Sequence, residues 1–137
     1  MAAPIKVKDT GSGEQVVQIP AGANIPNNQT TTTLSTQNTT PTAAQLLGGI
    51  IDHVSTTGGG TATLDTGANI DAALTNPQIG DTFTCLYCNT GTQTVTITTN
   101  TGLTLKGTAA IATLKNALLT FVRTGVGTYR VYITGGA

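Results

Sequence analysis

Residues 80–107, GDTFTCLYCNTGTQTVTITTNTGLTLKG, decide the fold class. Phe83, Cys85 and Tyr87 alternate with Thr84, Leu86 and Cys88, and the alternation resumes through Val95 and Ile97. A two-residue period is that of a strand with one face buried, because successive side chains of extended backbone leave on opposite sides. Between the two runs, Asn89-Thr90-Gly91 supplies residues that tolerate positive φ, so a hairpin reversal is expected there. Thr101-Gly102 reads as a second reversal, into Leu103 and Leu105. Three consecutive antiparallel strands are expected, as a meander or part of a Greek key.

Working outward, Thr61 to Leu64, Ala109 to Leu114, Ala117 to Arg123 and Thr128 to Ile133 carry further strand patterns. In the last of these Tyr129, Val131 and Ile133 share a face opposite Arg130 and Tyr132. The run AAQLLGGIIDHV, ending at Val54, has two apolar clusters around Gly48-Gly49 and is expected as a strand with a bulge. Asn69 to Leu74 suits one or two turns of helix, with Asn69 as N-cap and Asn76-Pro77 as the stop. Seven or eight short strands with one small helix predict an all-β domain, a β-sandwich or jelly-roll-like fold, over residues 42–137.

Residues 1–41 read differently. Ala21 to Pro41 is built of Asn, Gln, Thr, Pro and Gly with Ile25 and Leu34 as isolated apolar residues, too few to bury a core of their own. It is expected as an extended linker. Before it, Ile5 and Val7, then Val16, Val17 and Ile19, flank the Gly11-Ser12-Gly13 break. These five residues predict an arm that pairs with a strand elsewhere, and they are the candidate partner-binding residues.

Composition narrows the function. At 137 residues the chain has the length of one domain. Charged residues make up 9% of it, against roughly 25% in an average soluble protein. Threonine, about a fifth of the residues, supplies a neutral polar surface suited to half-exposed strands. Formal net charge is zero, so no long-range field draws the chain to nucleic acid or an anionic membrane. A neutral surface also resists self-association poorly, which fits life in an assembly. No apolar run approaches the ~20 residues of a membrane span, and MAAPIKVKD lacks the apolar core of a signal peptide. The product is expected to stay in the cytoplasm where it is made.

Residue types that carry chemistry are present without the company they need. His53, with Asp52 and Ser55, has the parts of a hydrolytic triad within one short segment. On a strand Asp52 faces away from His53, and Ser55 still lacks a remote carboxylate and an oxyanion site, so a structural or interface histidine is expected. Cys85 and Cys88 have redox-like spacing, but three residues along a strand place the thiols on opposite faces. They read as two small packing side chains. Gly58-Gly59-Gly60 and Lys106-Gly107-Thr108 lack the order of a phosphate-binding loop, and the six carboxylates lack calcium-loop spacing. No enzymatic activity, cofactor or metal is expected.

Three stretches together carry a resemblance: TAAQLLGGIIDHVSTTGGGTATLDTG (42–67), NPQIGDTFTCLYCNTGTQTVTITTNTGLTLKG (76–107) and FVRTGVGTYRVY (121–132). They resemble the Gly/Thr-rich β-sandwich domains of virion surface proteins in tailed bacteriophages. The resemblance covers about the last two-thirds of the chain. It implies a homotrimer displayed on the virion, as a capsid decoration or cement protein bound to the major capsid protein, or as part of a tail fibre or spike. The short chain and N-terminal arm favour decoration. The alternative is a lectin-like carbohydrate-binding module, for which aromatic platforms are scarce: no Trp, three Tyr and two Phe.

Overall fold

The computed structural model describes the strands Lys6–Asp9 and Gln15–Gln18, and residues 29–137 apart from residue 56. In chain order the elements are β1 (Lys6–Asp9), β2 (Gln15–Gln18), β3 (Thr30–Leu34), α1 (Ala43–Gly48), β4 (Gly49–His53), β5 (Gly60–Thr63), α2 (Gly67–Ala73), β6 (Thr82–Asn89), β7 (Val95–Thr98), β8 (Leu103–Lys106), β9 (Ala110–Ile111), β10 (Lys115–Gly125) and β11 (Thr128–Gly135). The described chain is mostly β, as expected, with two short helices rather than one.

Six strands form a mixed sheet in the order β3-β4-β6-β10-β11-β8, and β5-β7-β9 form a smaller one. Side chains from both sheets and both helices share one buried cluster, in which Tyr87, Tyr129, Phe121, Leu46 and Ile51 are the largest members. Phe83 and Phe121, directly opposite on β6 and β10, stack with centroids 4.5 Å apart and planes 6° apart. That cross-strand pair reinforces the ladder between the two central strands of the sheet.

The meander expected over 80–107 does not form. β6 and β7 lie in different sheets, and β8 joins the far edge of the six-stranded sheet, parallel to β11. Both edges of β6 are taken, by β4 and by β10, which leaves β7 no edge to pair with, and Asn89 is buried at the end of β6. Its Oδ1 accepts from Gly91 N at 3.1 Å, while Nδ2 donates to the carbonyls of Gln93 (2.7 Å) and Ile111 (2.9 Å). A side chain that bonds its own following loop competes with a tight backbone turn. The loop is thereby tied to β9, and the chain crosses between sheets instead of reversing.

The bulged strand expected across Gly48-Gly49 is also corrected. Thr42 opens α1 with a capping box: its hydroxyl accepts from Gln45 N while the Gln45 side chain accepts from Thr42 N. Gly49 ends the helix at φ 96°, in the left-handed region where glycine meets no Cβ penalty, and β4 begins at once. The second helix starts earlier than predicted, with Thr66 as N-cap accepting from Asn69 N at 3.1 Å. Asp65 holds both starts, accepting from Ala43 N (2.8 Å), Thr66 N (2.7 Å) and Asn69 Nδ2 (2.6 Å). Burial would raise its carboxyl, but these donors together hold it below the ordinary value.

Part of the expected linker is sheet: β3 runs parallel to β4, pairing Thr30–Leu34 with Gly49–His53. Its neighbour Thr39 bridges to Ala62 of β5, so the same segment touches both sheets.

Candidate interaction surface

The catalytic-looking residues of β4 are committed elsewhere. His53 is fully buried, with Nε2 2.7 Å from the Thr36 carbonyl and Nδ1 2.8 Å from the Tyr87 hydroxyl. A carbonyl only accepts, so Nε2 carries the hydrogen, and in the neutral ring Nδ1 then accepts from Tyr87. Burial, and after it the neighbouring Cys85, pushes the Tyr87 hydroxyl up, which keeps it a donor. Asp52 points to the other face and accepts from the Thr90 hydroxyl, while the Ser55 hydroxyl accepts from Thr57 N at 3.5 Å. The histidine ties the 34–39 segment to β6, which is a structural task.

A second polar cluster was not legible in the sequence. The Asp71 carboxylate of α2 accepts from Arg123 Nε and Nη2 (both 2.8 Å), from the Tyr129 hydroxyl (2.6 Å) and from Gly127 N (2.7 Å). The Arg123 bonds foremost, against the opposing effect of burial, hold the Asp71 carboxyl well below the usual carboxylate range. Arg123 is at the end of the inward face of β10, so α2 is pinned over the β10–β11 turn. Four hydrogen bonds converge on one carboxylate, which makes the cluster a clamp.

Cys85 is buried and Cys88 half-exposed, on opposite faces of β6 as the spacing predicts, and both are free thiols. Burial, with a smaller contribution from Cys88, pushes the Cys85 thiol up to about 12. Among the described residues no group of His, Cys, Asp or Glu is placed to hold a metal ion, and no helix is long and apolar enough to cross a membrane.

Two features remain that bear on partners. The first is the arm. β1 and β2 pair antiparallel with each other, Val7 opposite Val17 and Lys8 opposite Val16, in a separate two-stranded sheet. Ile5 and Ile19 lie outside the described residues. Within the arm expected to pair with a strand elsewhere, the two described strands pair with each other.

The second is the outer face of the six-stranded sheet. In register across the strands, Ile50 of β4 stands beside Leu86 of β6, which stands beside Leu118 of β10. On the next row Thr120 stands beside Tyr132 of β11. Leu118 is 39% and Tyr132 41% exposed, while Tyr129, predicted on the opposite face, is buried. Strand alternation in the sequence located Tyr132, but the row Ile50-Leu86-Leu118 needs the strand order, since its members come from three distant segments. Comparison of the chain with protein-family models, with curated proteins and with solved structures found no match.

Proposed function

We propose that the chain is a virion structural protein, a capsid decoration protein that binds the outer surface of a phage head as a homotrimer. In this reading the two sheets are the layers of a β-sandwich around their common cluster, and the N-terminal residues are the arm that reaches the major capsid protein. The observation that carries it is the separate β1–β2 hairpin. A two-stranded ribbon is marginally stable in water and presents unpaired backbone groups on both edges. Adding such a ribbon to an exposed strand of a shell protein gives affinity without charge, and three arms on one trimer hold through one another's detachment. The neutral, threonine-rich composition supports the same role.

The test is the copy number of this chain in purified particles of the virus that encodes it, by quantitative mass spectrometry against the major shell protein. Hundreds of copies, comparable to the shell protein, are expected. A few copies would place it in the tail, and none would overturn the virion reading.

A further inference from the structure

We infer that the outer face of the six-stranded sheet is the subunit contact, packed against second copies of this chain around a threefold axis. The number of copies rests on the trimer proposed above; the choice of face does not. Leu86 and Leu118 stand opposite one another on β6 and β10, the two central strands, with Ile50 beside Leu86 on β4 and Tyr132 of β11 diagonally beyond Leu118, one row along. Large apolar side chains on a sheet face mark a contact when they are contiguous, and here the register makes them so. The chain places Thr around them, a β-branched residue that packs on a pleated surface.

Charge settles which neighbour covers the face. Its acidic group, Asp52, lies on β4, towards one edge of the sheet; its basic groups, Arg130 on β11 and Lys106 on β8, lie towards the other. Among the described residues the one ion pair is Arg123–Asp71, so none of these three is neutralised by a charged partner there. The face therefore has an acidic half, an apolar centre and a basic half. A ring satisfies all of it: the β4 half of each copy meets the β11–β8 half of the next, and the Leu86–Leu118 pair of each copy points to the axis. Five strand spacings by three two-residue steps make a face of about 24 Å by about 20 Å.

The full chain and its variants are compared by light scattering coupled to size exclusion over a range of concentrations. The wild type is expected at the mass of three copies. Leu118→Asp, at an outward position, is expected to raise the concentration of half-dissociation at least tenfold while thermal unfolding stays cooperative. Arg130→Asp is expected to weaken assembly and Asp52→Arg to restore it in the double variant. Cys88, on the acidic half, is expected to alkylate faster in the Leu118→Asp monomer than in the wild-type assembly. A trimer indifferent to Leu118→Asp and Arg130→Asp overturns this face and leaves the trimer standing. A wild type at two copies overturns the ring, and one at a single copy overturns face and trimer together, while the particle count still decides the virion role.

Discussion

Asp71 and Arg123, 52 residues apart in the chain, meet in a two-point ion pair with both N–O distances at 2.8 Å. Bidentate geometry fixes direction as well as distance, so α2 is held at one angle over the end of β10. Tyr129 and Gly127 complete the carboxylate's shell from the next strand and turn.

The pair makes stability depend on pH with a definite sign. The folded Asp71 carboxyl lies below its ordinary value of 3.8, so its contribution is complete above that value and is lost as pH falls towards the lowered folded one. Asp65 is displaced in the same direction. The urea midpoint is expected to fall steadily from about pH 5 to about pH 2. Asp71→Asn should lower the midpoint at neutral pH and flatten that slope. An unchanged slope in the variant would assign the acid sensitivity to other carboxyls.

Tyr87→Phe removes one hydroxyl and leaves Nδ1 of His53 buried without a donor. An unsatisfied buried polar atom costs about 1–3 kcal/mol, and the ring itself is kept, so the loss should fall in that range by urea denaturation. His53→Ala should cost more, since it also frees the Thr36 carbonyl and opens a cavity. A loss within error for Tyr87→Phe would mean that the histidine finds another donor.

Gly91 and Gly59 separate close approach from composition. A Cβ on Gly91 would sit 2.0 Å from the Ser55 carbonyl oxygen, which already accepts from Thr92 N at 3.3 Å and cannot retreat without breaking that bond. Gly91→Ala is expected to cost about 1–3 kcal/mol by forced backbone displacement. A Cβ on Gly59 meets the Thr94 carbonyl oxygen at an ordinary 3.6 Å, so Gly59→Ala should leave thermal unfolding nearly unchanged. Equal losses at the two positions would show that the loop tolerates the approach at Gly91.

Local pattern was legible where one residue's environment decides its conformation. The alternation TYRVYI placed Tyr129, Val131 and Ile133 inward and Tyr132 outward, because extended backbone leaves no other choice. The capping box of Thr42 and Gln45 with Gly49 behind it was equally local, and identifies α1 once T-x-x-Q is weighed above the Gly pair. The opposite faces of Cys85 and Cys88 followed from spacing alone.

Strand order and the polar clusters were decided by tertiary structure. Nothing near Asp71 points to Arg123, and nothing near Leu86 points to Ile50 and Leu118, because these partners are brought together only when distant strands pair. The hairpin expected at Asn89 failed for the same reason: its amide found the Ile111 carbonyl, 22 residues on, a partner that exists only in the folded chain. Periodicity and turn chemistry are properties of adjacent residues, so a β-rich chain and the inward face of its strands could be read from local pattern alone. Which strands meet depends on burying those faces together, and that free energy belongs to the whole core at once.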